Sequence, residues 1–473
     1  MTFLCWDTGF QTPIIFCHYL GAQDMTEKNS TRYQIWILML VILVDMIGIG
    51  IIIPFITYMV DDLSEPGEKI GMWVAALMAA YALAQFIFSP FWGSLSDRIG
   101  RRPVLMIGLM GNTIAMIIFG LSNTLMMALF ARLIGGLFNA NVSVTRAYIA
   151  DITEPKDVAK NQGLLGVAFG VGFSLGPVIG GFLSSPAEWT WTTAFQSTIF
   201  ETYPYLLPCL LSSLLSFSGL IMAIKFLPES RTPEQIYTDN EGKPRLSALQ
   251  KMRKIPAMLS RPVISPVLWS LTFFWMAFTI MHVTFILFTM MDPSEGGLGF
   301  SESDNGLIFS TIGVIGIITQ GKLIGPLTDR FGSSKLLAAG FVIAGTGLAA
   351  IPYSSAAYPF LTLLPAVFLV SFGNGLVTPS NMAMLTHLSA RDERGAVMGV
   401  SESLRSLSAL IGVSSGGVMW DLTISRTDLF DYHTAFRICG ILALISAITF
   451  RFSSGWKAED AIFNQNRDNP TAA

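Results

Sequence analysis

The sequence predicts an all-α membrane protein with twelve transmembrane helices in two six-helix halves, and three observations carry that expectation. First, 52% of the 473 residues are apolar and only 13% charged, against about 45–50% and about 25% in an average soluble domain. Second, the apolar residues gather in blocks long enough to cross a bilayer as helices, residues 35–60, 263–290 and 361–385 among them. Third, the chain repeats itself. Gly93-Ser-Leu-Ser-Asp97-Arg98-Ile-Gly100 returns as Gly325-Pro-Leu-Thr-Asp329-Arg330-Phe-Gly332, 232 residues later, and Gly163 and Gly180-Gly181 return at Gly399 and Gly416-Gly417, 236 residues later. Two copies of a six-helix unit at a fixed shift are the pattern of parallel halves that rock about a central site.

Blocks of at least about 18 apolar residues, read as spans, fall at 35–60, 71–92, 103–122, 124–149, 159–184 and 204–226 in the first half. The second half holds 263–290, 304–324, 334–353, 358–386, 395–420 and 434–451. Residues 1–34 form an N-terminal tail, 227–262 a linker and 452–473 a C-terminal tail. The linker holds Pro228, Pro233, Pro244, Pro256 and Pro262 among many basic residues, the composition of a polar connection between halves. With the N-terminus inside, 24 of the 29 Lys and Arg residues fall on inner segments, counting those at inner span ends, two outside (Lys69, Arg426) and three within spans (Arg132, Arg405, Arg437). The positive-inside rule then places both termini in the cytoplasm. Asp61, Asp62, Glu65, Glu68, Asp292 and Glu295 fall in outer loops. The first 24 residues lack the basic start of a signal peptide, and Met25 is an alternative start. Asn29-Ser30-Thr31 fits a glycosylation sequon, but its cytoplasmic placement argues against use.

Composition also excludes classes. No long basic block is present, so nucleic acid is not expected as a partner. Cys5, Cys17, Cys209 and Cys439 are scattered and no ligand-spaced Cys or His cluster occurs, so neither a metal, a cofactor nor a disulfide framework is expected. No nucleophile, base and orienting group stand at a recognisable spacing, so the chain does not read as an enzyme.

Four segments carry a resemblance: Gly93-SLSDRIGRRP-Val104 after span two, Arg132-LIGG-Leu137 in span four, Gly170-VGFSLGPVIGG-Phe182 in span five and Asp45-MIGIGIIIP-Phe55 in span one. Over residues 33–452 the sequence resembles the major facilitator superfamily, and within it the twelve-span drug:proton antiporter branch. Ala147-YIADIT-Glu154 and Phe226-LPES-Arg231 look like bacterial tetracycline exporters. Ser185-PAE-Trp189 and Tyr203-PYLLPCLL-Ser212 look like fungal drug-antiporter homologues and plant zinc-induced facilitator-like proteins. The resemblance implies the major facilitator fold, a small organic substrate, protons as coupling ion and residence in a plasma or vacuolar membrane, and the chain is expected to act as a monomer.

An ionisable residue in the membrane core costs at least ~2.5–3.5 kcal/mol on insertion scales and is a functional candidate by default. Asp45 and Arg132 are the clearest two. Both can reach the middle or outer part of a cavity and be linked there, and the resemblance associates the Arg with proton coupling and the Asp with protonation and substrate. A permanent ion pair fixing spans one and four explains the same two residues. Gln85, His282, Gln320, Asn374 and Asn381 are further polar residues in spans, each either a cavity lining or an interhelical hydrogen bond.

Asp97 can accept from N–H groups at a neighbouring helix start, and Arg98, Arg101 and Arg102 can pair with carboxylates or lipid phosphates. The resemblance implies that Gly93, Asp97, Arg98, Gly100, Arg101 and Arg102 form a conformational latch, with Asp97 facing the start of span eleven and an Arg pairing with Asp151. A tight basic loop with Gly93 and Gly100 as turn residues accounts for the Arg residues but not for the Asp before them. In the second copy Gly325, Asp329, Arg330 and Gly332 persist, but Ser333-Ser334-Lys335 replaces Arg101-Arg102-Pro103, so a weaker latch is expected there. In span five Gly172, Gly176, Gly180 and Gly181 flatten one side for close helix contact, Pro177 bends the helix, and the whole resembles an antiporter motif. Glu402 and Arg405, three apart on span eleven, can pair on one face as a gate, a second proton site or a structural pair.

Three functions follow. The first is proton-coupled export of an amphiphilic or drug-like molecule by alternating access. The others are facilitated passage or import of a polar metabolite or metal chelate, and a non-transporting membrane receptor.

Overall fold

A computed structural model describes residues 14–139, 141–153, 158–189, 192–230, 260–389, 394–423 and 431–468, with the backbone alone for 14–31, 90, 158–164, 166, 167, 169, 394–396 and 466–468. The described residues are helical with short connections and no strands. Among the described residues ten segments are long and apolar enough to cross a membrane: Arg32–Leu63, Ile70–Ser89, Arg101–Gly120, Leu125–Ile152, Leu206–Phe226, Ser265–Met290, Glu302–Phe331, Ser333–Tyr353, Pro359–His387 and His433–Arg451. The helices Val158–Leu183 and Arg394–Thr423 stand at the fifth and eleventh places of the predicted order. The eleventh is the more polar, with Glu402, Arg405 and Asp421 along it.

Two ends can be told apart by charge. The basic end carries Arg98, Arg101, Arg102, Arg330 and Lys335; the acidic end carries Asp61, Asp62, Glu65, Asp292 and Glu295. Within the first half, span one packs on spans five and six, span three on span six, and span two on the first part of span four. The halves meet along two seams, span two against span eleven and span five against span eight.

Both seams are built from small residues, which let backbones approach closely. At the acidic end a Cβ on Gly181 would strike the span-eight backbone at Glu302, and one on Gly306 would lie 2.7 Å from the Pro177 carbonyl. At the basic end a Cβ on Gly93, Gly325 or Gly399 would meet nothing within 4 Å. The halves therefore touch at the acidic end and part at the basic end. Across the closed end Tyr58 Oη donates to the Phe300 carbonyl (2.5 Å) and accepts from Asn305 Nδ2 (2.7 Å).

Two spans are interrupted. Span one breaks before Ile56–Leu63, where Pro54 lacks the N–H that an unbroken helix needs. Span four breaks after Leu125–Phe138 and resumes at Asn141. Near that break the Leu137 carbonyl accepts from Trp92 Nε1 at 2.5 Å, which satisfies an acceptor at the end of the first segment. Span eight contains a π-helical turn at Thr319–Leu323.

One expectation is corrected and two are extended. The recurring segment is not a loop beginning at Gly93: span two runs on as helix to Ile99, and the second copy is helical over Ile324–Phe331. The reversal falls on one residue each time, Gly100 (φ +100) and Gly332 (φ +81), a conformation that glycine adopts without a Cβ clash. Next, the C-terminal tail holds a helix, Ser454–Asp468, with Trp456 and Glu459 buried. Finally, the helix that carries span one begins at Ile14, while its membrane-crossing part begins at Arg32, close to the expected start of the span. The linker expected at 227–262 lies largely outside the described residues.

Candidate functional site

Asp45, on span one, is 1% exposed. Its Oδ1 accepts from Asn112 Nδ2 of span three (3.3 Å) and its Oδ2 from Asn141 Nδ2 of span four (3.1 Å). Asn112 Nδ2 also donates to Ser216 Oγ of span six (2.8 Å), so four spans converge on one carboxylate. Two amide side chains, and no cation, act on it among the described residues. Asn141 Oδ1 is buried without a partner there, as are Asn139 Oδ1 and Thr145 Oγ1 nearby on span four.

Arg132 does not pair with Asp45, which corrects the expected link. Its Nε donates to the Leu77 carbonyl (3.4 Å), and its guanidinium lies 4.3 Å from the Tyr81 ring centre and 5.8 Å from that of Phe119. The reason is axial distance. Asn141, which reaches Asp45, stands nine residues further along the span than Arg132, or about 13 Å at 1.5 Å per residue. The two groups are joined indirectly: Tyr81 Oη accepts from Asn139 Nδ2, and both Arg132 and Asp45 act electrostatically on Tyr81.

The remaining cavity candidates scatter. Glu402 and Arg405 do pair, Nη2 to Oε1 at 2.6 Å and Nε to both carboxylate oxygens at 3.2 and 3.1 Å, with both side chains about half exposed. Arg405 also lies over Trp275 of span seven at 5.4 Å, and Arg146 of span four acts on Glu402 from the other half. His282 meets the Phe278 ring edge-on at 4.7 Å between centres. Asn374 and Asn381 each have a buried Oδ1 with no described partner. Gln85 is half-buried and Gln320 exposed on the π turn. A shallow cavity of about 480 Å³ at the acidic end, lined by Ser185, Glu188, Ser197 and Glu201, shares no residue with these groups.

At the basic end the first copy of the repeat is closely tied. Arg101 is buried and joins Asp97 (Nη2 to Oδ1, 2.8 Å), Asp151 (Nε to Oδ2, 2.9 Å) and Ser96 Oγ (2.6 Å). Glu229 accepts from the N–H groups of Arg101 (2.8 Å) and Arg102 (3.1 Å), while Arg102 donates to the Ala223 and Ile224 carbonyls at the end of span six. Arg98 is exposed. The expected Arg–Asp151 pair is thus present. Asp97 was expected to face the start of span eleven, whose helix begins at Arg394 and whose side chains at 394–396 lie outside the described residues. In the second copy Asp329 and Arg330 are exposed, and Gly332 lies under the Phe463 ring of the C-terminal helix.

The span-five glycines face span one and the second half. A Cβ on Gly172 would meet Met46 Cβ at 2.5 Å, one on Gly176 would meet Gly50 Cα at 2.7 Å, and one on Gly180 would strike the Ile51 carbonyl; Gly181 faces span eight. Pro177 sits inside the continuous helix Val158–Leu183.

Sequence reasoning missed several of these residues. Asn112 and Asn141 are polar residues inside apolar blocks, the signal that was applied to Asn374 and Asn381. Glu229 and Asp421 lie just beyond predicted span ends, where an acid reads as solvated.

A two-half helical bundle closed at one end, with an ionisable residue buried in its core, is the architecture of a membrane transporter. The family model of the Major Facilitator Superfamily matches residues 38–413 and 297–462, and the chain belongs to that superfamily. It is a multi-pass integral membrane protein. A probable peptide/nitrate transporter of Arabidopsis thaliana is 29% identical over 417 residues, 82% of this chain and 83% of the relative. The class C tetracycline resistance protein of Escherichia coli is 28% identical over 371 residues, 78% of this chain and 85% of the relative. The solved structure of a D-xylose–proton symporter, 16% identical, matches the fold with a TM-score of 0.69 over 90% of this chain and 98% of that one.

Proposed function

We propose that the protein is a proton-coupled antiporter that exports a small organic, amphiphilic molecule by alternating access between halves 35–226 and 263–451. The observation that carries this reading is Asp45, a carboxylate 1% exposed whose described partners are amides and no cation. An ion pair would hold it charged. Amides serve either state, since Nδ2 donates to a carboxylate and Oδ1 accepts from a carboxyl O–H. Asn141 Oδ1, buried and without a described partner, supplies that acceptor once its amide turns. Protonation at Asp45 then rearranges hydrogen bonds among spans one, three, four and six without opening a salt bridge, and so couples proton occupancy to helix packing.

Arg132 acts on this site through Tyr81 and Asn139. The side chains Trp275, Phe278 and His282 on span seven, with Glu402, Arg405 and Arg146 near them, give the cavity aromatic surface and charge together, as an amphiphile requires. The likeness to a tetracycline resistance protein favours export. The positive-inside rule sets the basic end and both termini in the cytoplasm, so the described state faces inward. Asp97, Arg101, Asp151 and their neighbours then serve as the latch that is remade when the basic end closes.

The test is proton movement in proteoliposomes while a panel of amphiphilic molecules is offered. The wild-type protein should move protons against a substrate of that panel, and Asp45→Asn should abolish gradient-driven transport while sparing substrate–substrate exchange. Full gradient-driven transport by folded Asp45→Asn refutes the reading.

A further inference from the structure

We infer that Asp421 is a positioning residue that fastens the acidic end of the seam between spans two and eleven and must let go when that end opens. The inference rests on the alternating-access reading. Asp421 stands in the last turn of Arg394–Thr423. Its Oδ1 accepts from the Gly71 N–H (2.9 Å) and its Oδ2 from the Met72 N–H (2.7 Å), in the first turn of span two, Ile70–Ile99. The first N–H groups of a helix have no partner within it, and the helix dipole favours an anion there. Lys69 adds attraction at the same place. Each bond joins one half of the protein to the other.

The seam is shaped for this contact. A Cβ on Gly71 would lie 2.7 Å from both Asp421 Oδ1 and the Gly417 carbonyl, and one on Gly417 would lie 2.5 Å from Ala75 Cβ. With glycine at both positions the backbones touch and a short carboxylate spans the gap. The same two helices diverge toward the basic end, where Gly93 and Gly399 face open space. A rocking motion that brings Gly93 toward Gly399 levers Gly71 away from Gly417, so closure of one end and the Asp421 contact exclude each other. Spans two and eleven run antiparallel, so each end of the seam pairs the last turn of one helix with the first turn of the other. Asp97, in the last turn of span two, occupies at the basic end the place that Asp421 occupies at the acidic end. Here Asp97 is engaged by Arg101 at 2.8 Å and Asp421 by span two. Asp421 is thus the half of a reciprocal fastening that this state uses, and it biases the resting protein toward the cavity that faces the basic end.

Spin-label distances read this directly, without substrate or gradient. One label pair at Glu65 and Glu295 reports the acidic end and a second at Ser94 and Pro326 the basic end, in protein whose four cysteines are replaced. Asp421→Ala removes both acceptors and should raise the acidic-open to acidic-closed ratio about tenfold, the scale of one charge-assisted hydrogen bond in net terms. The basic-end distances should shorten in step. Asp421→Asn keeps one acceptor and should shift both pairs in the same directions by less, and it carries the test if Asp421→Ala does not fold. Unchanged distances in the folded variants, or lengthening at both ends together, overturn the inference. Since no transport is measured, that result leaves the antiport reading standing, and a transport defect in Asp45→Asn does not bear on this one.

Discussion

Glu229 offers the most quantitative check on how the basic end is held. Its carboxylate caps the first two N–H groups of span three, at Arg101 (2.8 Å) and Arg102 (3.1 Å), from a position three residues past the end of span six at Phe226. Removing a helix cap costs about 0.5–2 kcal/mol, and hydrogen bonds to a charged group are each worth about 1.5–3 kcal/mol net. Because Glu229 is half-buried, water recovers part of that, and we take about 2 kcal/mol for the pair. At about 1.4 kcal/mol per factor of ten, Glu229→Ala should speed local opening of the first turn of span three about thirtyfold. Hydrogen–deuterium exchange on peptides covering residues 100–105 measures this, with residues 333–337 of span nine as the internal control. Glu229→Gln retains one acceptor oxygen and should fall between Glu229→Ala and the wild type. Equal exchange in Glu229→Ala and wild type would show that Glu229 does not hold the helix start.

Two further outcomes test packing and charge. Gly176→Val puts side-chain carbon where Gly50 Cα and the Ile47 carbonyl already lie, at 2.7 Å from an added Cβ; overpacking of this kind costs about 1–3 kcal/mol and should lower the melting temperature of purified protein, whereas Gly316→Val, in open space, should not. Burial holds the Glu459 carboxyl above its ordinary value of 4.5, against the opposing hydrogen bond from His387. A raised acid favours the docked state when protonated, so docking of Ser454–Asp468 should weaken as pH rises from about 4.5 through the raised value. Exchange of the helix, corrected for the intrinsic pH effect, reads this, and Glu459→Gln should remove the dependence.

How much of this was legible in the sequence depends on the kind of signal. Spans announce themselves by length and apolarity, since a bilayer imposes both, and the family resemblance implied a pairing of Asp151 with one of the Arg residues, which proves to be Arg101. Glu402 and Arg405 could be paired because helix spacing alone puts them on one face. The partner of Asp45 could not be read that way. Asp45 and Arg132 are the two most conspicuous charges in the first half, and pairing them ignores the axial offset along span four and the break after Phe138, which hydropathy does not reveal. The amides that do hold Asp45, Asn112 and Asn141, come from spans three and four, and which of many polar residues turn inward depends on helix rotation set by packing. Asp421 was hidden for a different reason: its role lies in its contact with the start of span two, 349 and 350 residues away.

The two copies of the recurring segment show why a degraded repeat need not mean a loose one. In the first half, the helix start after Gly100 is held by Glu229, Arg101 and Asp151. In the second half, Ser333-Ser334-Lys335 offers no buried guanidinium, and His387 stands at the offset of 236 from Asp151. Fastening there comes from the C-terminal helix: Phe463 covers Gly332, Asp460 lies 3.5 Å from Lys335, and Glu459 meets His387 at 2.8 Å. Acid and base have changed places between the halves. The first pairing uses a guanidinium, which keeps its charge at any physiological pH, while the second sets an imidazole against a carboxyl that burial holds above its ordinary value. The first half is therefore held by its own spans and by the residues just past span six. The second is held by the C-terminal helix, whose grip weakens as pH rises through the raised value of Glu459.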